Sequence, residues 1–488
     1  MKKFLCLMAI LVASVLLVGC VNTNNPGNNT GGEKLESITA EGKTTITFWH
    51  AMGQANQAVI DQMITSFEAA YPMFDVEQVS QGGYTDLRDK ILYSVPVGEG
   101  PTIAQAYPDH IANYLNAYAL TSLDEQYIGE TAKIGDIIKF PENSAWASSA
   151  EAQKQIGWTQ EEIDDFVGAF YAEGSVYGDG KMYCVPFNKS TEVLFYNKDF
   201  FKLYATELAE FGVQADGTWR NPTWDQVEGI AKFYPTTKEY AALDPTLKEV
   251  ASGFSVDSEA NLFITLTQQW GGKYTGFDAD GKGQYLFNNA ESKEAISWFA
   301  NNFNSGIFGT AQKFGTDYSS DAFKAMQCIM TTGSSAGASY NTTANFETGV
   351  AEYPQRADGQ NKNVIQQGTN VCLFERDNDL EELGGWLFMK WMTNFDNALL
   401  WCTNTAYFPI RKSVYNSTDY QSKVADGTVT SQAQLVGWSQ QSIFYTSEAF
   451  MGSSKARDEV EGLVRAVLVG TPIDQAYQAA IDNCNSKI

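Results

Sequence analysis

Residues 44–79 read TTITFWHAMGQANQAVIDQMITSFEAAYPMFDVEQV, and this stretch decides the fold class. Residues 44–49 alternate threonine with isoleucine and phenylalanine, which predicts a strand. Apolar side chains in residues 59–67 then recur at helical spacing until Pro72 stops the helix. Alternation returns at residues 74–79. A strand, a helix and a second strand in this order predict parallel strands in an α/β fold.

The same rhythm continues along the chain. Residues 87–95 predict a second helix, and residues 102–107 predict a third short strand. An acidic, helix-rich stretch over residues 121–175 interrupts the pattern, which resumes with apolar runs over residues 182–196. We therefore expect a second α/β unit to begin there.

The composition is that of a large globular protein. The chain has 488 residues, of which 44% are hydrophobic and 19% are charged, so it is long enough for two or three domains. Its 33 Lys and Arg residues are outnumbered by 58 Asp and Glu residues, giving a formal net charge of -25. Because such a surface repels phosphate backbones, we expect no nucleic-acid partner.

The amino terminus resembles a bacterial lipoprotein signal. Lys2 and Lys3 precede an apolar run over residues 4–18, and Gly19 and Cys20 follow it. We expect cleavage before Cys20 and lipidation of its thiol, with residues 1–20 as the signal peptide. The alternative is a membrane-spanning helix, but the run is shorter than the roughly 20 residues that a bilayer requires. Residues 21–43, rich in Asn and Gly, are predicted to be a flexible linker.

The remaining cysteines do not form a metal or redox motif. Five follow Cys20, namely Cys184, Cys328, Cys372, Cys402 and Cys484, and no CxxC occurs. With His50 and His110 as the only histidines, the spacing for a zinc site is missing. We expect buried, inert thiols, while a disulfide between Cys372 and Cys402 stays open as an alternative. No cofactor or metal is expected.

Catalytic motifs are also missing. The sequence contains no GxSxG, HExxH, Walker or strand-linked GxGxxG pattern. The adjacent pairs Asp164–Asp165 and Glu381–Glu382 fall on predicted helices, so their side chains diverge, which favours a solvated acidic face over a glycosidase pair. A secreted, membrane-tethered carbohydrate-active enzyme is thus the alternative to a binding protein.

Several aromatic residues stand beside glycine, proline or polar loop residues. They are Trp49, Tyr84, Tyr107, Trp270 and Tyr407. Flat rings at strand ends suit the apolar faces of sugars, while neighbouring polar groups bind hydroxyls. In addition, residues 328–332 predict a strand that runs into the loop GSSAGA over residues 333–338, whose N–H groups and hydroxyls suit a polar ligand.

Segments in order along the chain resemble the family 1 extracellular solute-binding proteins of bacterial ABC importers, in particular the binders of glycerol-3-phosphate and oligosaccharides. The segments are ITFWHAM (46–52), VPFNKST (185–191), LFYNK (194–198), TWD (223–225), MTTGSS (330–335), GTN (368–370) and TAYFPIR (405–411).

This resemblance implies an α/β fold of two lobes joined at a hinge, with the ligand in the cleft between them. The chain would cross between lobes near residues 188–192, 367–371 and 411–414. Residues 44–189 and 371–412 would form lobe one, and residues 193–367 and 413–488 would form lobe two.

The resemblance also implies the residues that bind the ligand. Tyr84 and Tyr407 would be ring platforms, and Asp109 and Asp257 would accept hydrogen bonds from hydroxyls. The remaining positions implied by the family are Ser190, Phe254, Ser334, Ser335 and the Gly368 backbone. Trp49 and Trp270 fall outside these positions and are expected to pack beneath the cleft.

One difference from the phosphate-binding branch predicts the ligand class. That branch has an arginine shortly before the C-terminal helix, whereas here the corresponding stretch is SEAFMGS over residues 447–453. The arginine position falls on Ala449 or Phe450, so a bidentate phosphate contact is lost, unless Arg411 or Arg457 replaces it. A ring at Phe450 would instead suit a sugar face.

The sequence therefore predicts a monomeric, extracytoplasmic binding protein without enzymatic activity. Its expected partners are a neutral sugar, expected to be an oligosaccharide, the permease of an ABC importer, and a bacterial membrane reached through the lipid on Cys20.

Overall fold

The computed structural model describes residues 35–117, 119–242 and 251–486. The predicted signal peptide, Cys20 and the first part of the predicted linker lie outside the described residues. The end of that linker is part of the folded body, because Ile38–Thr39 pairs with Ile138–Lys139.

The strands in chain order are β1 (Ile38–Thr39), β2 (Thr44–His50), β3 (Phe74–Ser80), β4 (Ile103–Ala106), β5 (Ile138–Lys139), β6 (Cys184–Asn197), β7 (Phe254–Val256), β8 (Thr275–Phe277), β9 (Gly283–Tyr285), β10 (Phe308–Thr310), β11 (Met330–Ser334), β12 (Thr348–Ala351), β13 (Val364–Leu373) and β14 (Phe444–Tyr445).

The α-helices of the described residues are α1 (Gln54–Ala70), α2 (Tyr84–Ser94), α3 (Pro108–Asn116), α4 (Leu123–Gln126), α5 (Ile134–Ile137), α6 (Gln160–Asp164), α7 (Gly168–Ala172), α8 (Lys198–Leu203), α9 (Ala205–Leu208), α10 (Trp224–Phe233), α11 (Lys238–Ala242), α12 (Glu259–Gln269), α13 (Ala290–Asn304), α14 (Ser319–Lys324), α15 (Asp379–Met392), α16 (Phe395–Asn404), α17 (Lys412–Tyr415), α18 (Thr418–Val424), α19 (Val429–Ser439), α20 (Ser453–Leu468) and α21 (Ile473–Asn485).

The strands and helices predicted from residues 44–107 are confirmed. β2 pairs in parallel with β3 and with β4, as a βαβαβ unit requires. Helix α1 buries Val59, Ile60, Met63, Ile64 and Phe67, the positions that the helical spacing selects.

The main sheet has the strand order β10–β7–β11–β6–β13–β4–β2–β3. The long strand β6 pairs with β13 over its first half and with β11 over its second half. β13 in turn pairs with β4 through Asn370–Leu373. Strands β6 and β13 thus connect the β2–β3–β4 group to the β7–β10–β11 group, and the crossings expected near residues 188–192 and 367–371 fall on them.

Two large apolar cores lie on the two sides of this connection. The first contains Phe48, Phe67 and Trp386, and the second contains Phe254, Phe263 and Val460. The fold is therefore α/β with two lobes. Residues 413–488, assigned by the sequence to lobe two, contribute to both cores, because Tyr420 packs in the first and Val460 in the second.

The acidic stretch over residues 121–175 folds onto lobe one as short helices rather than as a separate domain. Trp146, Trp158 and Phe166 are buried in the first core. The Trp146 indole donates a hydrogen bond to the Ala70 carbonyl oxygen at 2.9 Å, which attaches the stretch to helix α1.

All five cysteines of the described residues are buried and free, as predicted. The structure contains no Cys372–Cys402 disulfide, so that alternative is not realised. Instead, Cys372 lies directly opposite Cys184 in the antiparallel pairing of β6 with β13. Burial raises the pKa of Cys184 to about 12, which keeps this thiol protonated.

Candidate ligand-binding cleft

A cleft between the lobes contains two cavities that meet at the connecting strand β13. The first cavity is about 330 Å³ and the second about 610 Å³. Tyr84, Tyr107, Gln367 and Gly368 line both. Both volumes fall in the range of small-ligand sites, about 300–1,000 Å³. A single elongated ligand can therefore contact both cavities at this shared wall.

Gly368 is the backbone element of that wall. Its φ of +87° is in the left-handed region, and the pairing of β13 with β6 shifts register between Thr369 and Asn370. A Cβ at residue 368 would lie 1.9 Å from the Asn188 carbonyl oxygen. Only glycine fits here, because both the backbone angle and the close approach of β6 exclude a side chain.

Three tyrosines gather beside Gly368. The rings of Tyr84 and Tyr107 lie 4.9 Å apart in an edge contact, and Tyr407 stacks on Trp401 at 5.8 Å with an interplanar angle of 10°. Burial raises the pKa of Tyr84 and of Tyr407, and the neighbouring phenol groups of Tyr107 and Tyr407 raise that of Tyr84 further. The phenol groups of Tyr84 and Tyr407 therefore stay protonated and neutral, and they can donate hydrogen bonds to a ligand.

The second cavity is lined by hydroxyl groups and one carboxyl group. Ser334 Oγ donates to Ser190 Oγ at 3.3 Å, which joins β11 to β6 beneath the cavity. Asp257 accepts hydrogen bonds from Ser319 through the backbone N–H at 2.9 Å and the hydroxyl at 3.1 Å, both on Oδ1. Burial raises the pKa of Asp257. No donor among the described residues bonds its second oxygen, which therefore suits a ligand hydroxyl.

The first cavity is lined by charged groups of both signs. Asp109 comes from the first turn of α3, and Arg457 and Asp458 come from α20. The Arg457 guanidinium donates to Asn261 Oδ1, and Asn261 Nδ2 donates to Glu192 Oε1 at 3.1 Å. This chain of hydrogen bonds reaches from the cavity to strand β6, and it orients the Arg457 guanidinium through one of its nitrogens.

Carboxylates outnumber guanidinium groups in this cavity. The acidic lining residues are Asp109, Glu173, Glu448 and Asp458, and the guanidinium groups belong to Arg88 and Arg457. Arg88 Nε also pairs with Asp89 at 2.8 Å. Glu173 is bonded to the buried Lys189, so its charge is balanced. The negative potential of the other three carboxylates disfavours a dianionic ligand in this cavity.

Several buried polar atoms around the first cavity have no hydrogen-bond partner among the described residues. They are both amide atoms of Gln366, Oε1 of Gln367 and the hydroxyl of Tyr274. All three residues line the cavity. Since buried polar groups in native proteins are almost always paired, their concentration here favours a site that receives a polar ligand.

The structure brings together most of the residues that the family resemblance selects. Tyr84 and Gly368 line both cavities, Asp109 lines the first, and Ser190, Asp257, Ser334 and Tyr407 line the second.

Two selected residues lie elsewhere. Phe254 is fully buried in the second core, with its ring against Trp224 and Phe308 at 5.7 and 5.0 Å. Ser335 is also buried, and its Oγ accepts a hydrogen bond from the Thr191 N–H at 3.3 Å. Both side chains hold the sheet together instead of lining either cavity, because each points into packed neighbours.

Of the positions considered for the phosphate arginine, Ala449 lines the first cavity, whereas the expected sugar-facing role of Phe450 is corrected. Phe450 does not line either cavity, because its ring packs on Tyr285 and Phe277 at 5.3 and 6.1 Å. Arg411 is held by the Glu162 carbonyl oxygen at 2.9 Å and by the Asp165 carboxylate at 3.5 Å, so it is not available to the cleft. Arg457 does line the first cavity.

Neither Trp49 nor Trp270 lines either cavity. Trp270 packs against Trp298 at 5.4 Å, and the Arg356 guanidinium lies over its ring at 4.8 Å. The sequence did not select Gln366, Gln367, Tyr318 or Tyr340 as ligand residues. None belongs to a short motif, and only the three-dimensional arrangement brings them to the cleft.

The described residues hold neither a metal-binding cluster nor a membrane-spanning helix. No group of three or more His, Cys, Asp and Glu side chains there is arranged to hold a metal ion. Within the same part of the chain, every helix is too short or too polar to cross a membrane.

Comparisons with known proteins give the family. Residues 62–428 match the family model described as bacterial extracellular solute-binding protein. The chain is 24% identical over 391 residues to the sn-glycerol-3-phosphate-binding periplasmic protein UgpB of Shigella dysenteriae. The aligned region covers 78% of this chain and 78% of that protein.

Solved structures share the fold. The cyclic α-maltosyl-1,6-maltose binding protein of Arthrobacter globiformis matches with a TM-score of 0.66 and 18% identity, over 91% of this chain and 99% of that one. UgpB of Mycobacterium tuberculosis, in complex with glycerophosphocholine, matches with a TM-score of 0.65 and 16% identity, over 91% of this chain and 98% of that one. With the family model covering most of its length, the chain belongs to the bacterial extracellular solute-binding proteins.

Proposed function

We propose that this protein captures a neutral sugar in the cleft between its lobes and delivers it to the membrane permease of an ABC importer. The observation that carries this proposal is the shared wall of Tyr84, Tyr107, Gln367 and Gly368, which joins two polar cavities. Ring faces there suit the apolar face of a sugar, while the unpartnered amide and carboxyl groups suit its hydroxyls. Proteins of similar fold that bind cyclic α-maltosyl-1,6-maltose and maltotriose support the same ligand class.

The site proposed for the sugar consists of the selected residues that line the cavities. They are Tyr84, Asp109, Ser190, Asp257, Ser334, Gly368 and Tyr407. Phe254 and Ser335 are left out because both are buried in protein contacts.

Glycerol-3-phosphate is the second candidate ligand, because the matching UgpB proteins bear that name and Arg457 lines the first cavity. One observation favours the neutral sugar. Asp109, Glu448 and Asp458 line the first cavity together with Arg88 and Arg457, and Arg88 already pairs with Asp89, so carboxylates are in excess there. A phosphate dianion would meet their repulsion.

Isothermal titration calorimetry with glycerol-3-phosphate and with a panel of neutral mono- and oligosaccharides tests this proposal. We expect saturable, stoichiometric binding of a neutral saccharide that salt changes little. Binding of the phosphate alone, weakened by salt, would overturn the ligand class. Chromatography of the bound sugar after incubation tests the enzyme alternative, which requires that products appear.

We also propose that the protein is monomeric and attached to a bacterial membrane by lipid on Cys20. Support comes from the sequence, where Gly19 and Cys20 follow a short apolar run. The lobes are proposed to comprise residues 44–189 and 371–412, and residues 193–367 and 413–488.

A further inference from the structure

Two buried cysteines lie directly opposite each other on the strands that connect the lobes. Cys184 begins β6, Cys372 lies near the end of β13, and the antiparallel register pairs them. Directly opposed residues of antiparallel strands have Cα atoms about 4.5 or 5.5 Å apart, depending on the hydrogen-bond pattern. Both values fall within the Cα separations that disulfides span, about 4.4–6.8 Å. The backbone therefore already has the spacing that a disulfide bond requires.

The two side chains also lie on the same face of the sheet, as directly opposed residues do. Both belong to a third buried cluster, which includes Ala104 and Tyr177. Burial raises the pKa of Tyr177, and the nearby thiols of Cys184 and Cys372 raise it further. Burial likewise raises the pKa of Cys372, and the Cys184 thiol adds to this effect. The two thiols are therefore close neighbours beside one phenol group.

Both thiols are free in the structure, and neither makes a strong interaction that a disulfide bond would have to replace. Cys184 Sγ lies 3.7 Å from the Tyr177 hydroxyl oxygen, and Cys372 Sγ donates to the Ala104 carbonyl oxygen at 3.5 Å. Thiols are weak donors and weak acceptors. Rotation of the two side chains can therefore exchange these contacts for a sulfur–sulfur bond at little cost.

The other three cysteines of the described residues are distributed differently. Cys402 on α16 packs in the first core, Cys484 on α21 packs in the second core, and Cys328 packs in a fourth cluster with Phe323. Each of them is also buried. Cys184 and Cys372 are thus the one pair that shares a cluster among the described residues, and the other three cysteines serve as matched controls.

The location of the protein allows such a bond. The family of this chain is extracellular, and disulfides form and persist outside the reducing cytoplasm. In the folded protein, burial raises the pKa of Cys184 to about 12, so little of the reactive thiolate is present. Oxidation therefore takes place while the chain folds outside the cytoplasm, before β6 and β13 are buried.

We propose that Cys184 and Cys372 form a disulfide bond that ties β6 to β13 at the lobe-one end of the connecting strands. The oxidant is another disulfide, either of a small molecule or of a thiol oxidoreductase. One cysteine thiolate attacks it, which gives a mixed disulfide and releases one thiol. The second cysteine thiolate then attacks the cysteine sulfur of the mixed disulfide and releases the second thiol. The two cysteines lose two electrons and two protons, which the oxidant gains as it becomes two thiols.

The bond stabilises lobe one and leaves the crossings between the lobes free to bend. It lies on the lobe-one side of the register shift between Thr369 and Asn370. It also closes a loop that contains residues 185–371, and closing a long loop restricts the unfolded chain strongly. This inference depends on the extracellular location of the protein and is independent of the ligand.

Peptide mapping of the exported protein tests the proposal. The full chain is exported with its own signal, purified without reductant, alkylated with N-ethylmaleimide in denaturant and digested without reduction. We expect one linked pair of peptides that contains Cys184 and Cys372, and alkylated peptides that contain Cys328, Cys402 and Cys484. Alkylation of all five cysteines, or a bond from Cys184 or Cys372 to any other cysteine, would overturn the proposal.

Melting temperatures measure what the bond does for the fold. The native protein should melt about 5–10 °C lower after unfolding and refolding with a phosphine reductant than it does as purified. The double variant Cys184→Ala/Cys372→Ala should melt at one temperature in both preparations, whereas Cys328→Ala/Cys402→Ala should keep the native difference. Because each protein is compared with itself, the cost of altered packing cancels. Equal melting temperatures for the two preparations of the native protein would overturn the stabilising role of the bond.

Discussion

Asn113 Nδ2 donates a hydrogen bond to Ser454 Oγ at 3.1 Å, and this bond joins helix α3, packed on lobe one, to helix α20, packed in the second core. Both helices line the first cavity. The bond therefore forms only when the two lobes approach each other around the cleft.

Asn113→Ala should shift the protein toward an open arrangement of the lobes and weaken ligand binding. A net hydrogen bond contributes about 0.5–1.5 kcal/mol, so we expect a dissociation constant about two- to tenfold higher. Small-angle scattering with and without a bound sugar measures the opening, and calorimetry measures the affinity. Asn116→Ala, an exposed position at the end of the same helix, is the control. An unchanged radius of gyration and affinity in Asn113→Ala would show that this bond does not contribute to closure.

Tyr407→Ala should weaken sugar binding by about 1 kcal/mol or more, because the ring lies in the second cavity. Tyr407→Phe should retain most of the affinity if ring contact dominates, and lose it if the hydroxyl does. A large fall in melting temperature without a change in affinity would instead identify Tyr407 as a packing partner of Trp401.

Gly368→Ala should destabilise the protein or distort the cleft, because the new Cβ would lie 1.9 Å from the Asn188 carbonyl oxygen. Thermal unfolding of the purified variant measures the effect, which we expect to be several kcal/mol. Gly359→Ala is the control for backbone strain without a steric clash. The φ of Gly359 is also positive, at +68°, but the nearest atom to an added Cβ would be Lys362 Cε at 3.7 Å. If both variants lose equal stability, the close approach of β6 is not the cause.

Glu192 predicts a pH dependence of stability. Burial raises the pKa of its carboxyl group to about 7, while the hydrogen bond from Asn261 and the charge of Arg457 lower it and the charge of Asp257 raises it. Between about pH 4.5 and 7, the Glu192 carboxyl group keeps its proton in the folded protein but loses it in the unfolded chain. The free energy of unfolding therefore falls as the pH rises through this range. The full effect is on the order of 3 kcal/mol.

Glu192→Gln should remove this dependence and make the protein more stable at pH 8 relative to the native sequence. Urea unfolding from pH 5 to pH 8 measures it. Glu77→Gln removes the same formal charge at an exposed position and is the control. If the stability difference between Glu192→Gln and the native protein stays constant over this range, then Glu192 does not titrate there.

Cys20→Ser should abolish lipidation and release the protein from the membrane fraction, since the short apolar run is otherwise a weak anchor. Metabolic labelling with a fatty-acid analogue and fractionation measure this. Cys6→Ser, inside the predicted signal peptide, should leave both labelling and membrane attachment unchanged. A lipid-labelled Cys20→Ser protein in the membrane fraction would contradict the assignment.

The sequence alone determined the α/β class, the start of the sheet and several of the residues that lie beside the cleft. Strand β2 and helix α1 show their periodicity because each buries one apolar face, and such local patterns can be read directly. Tyr84, Gly368 and Tyr407 stand in segments that resemble a family, so their place beside the cleft could be predicted from motifs.

Only the tertiary structure decided which side chains face the cavities. Phe254 and Asp257 are three residues apart in one segment, yet one ring packs into the second core and the other side chain lines the cleft. Tyr318, Tyr340 and Gln366 come together from separate loops and a connecting strand. The direction of a side chain depends on strand pairing, register and the approach of distant segments, and a register shift like the one after Thr369 leaves no periodic signal in the sequence.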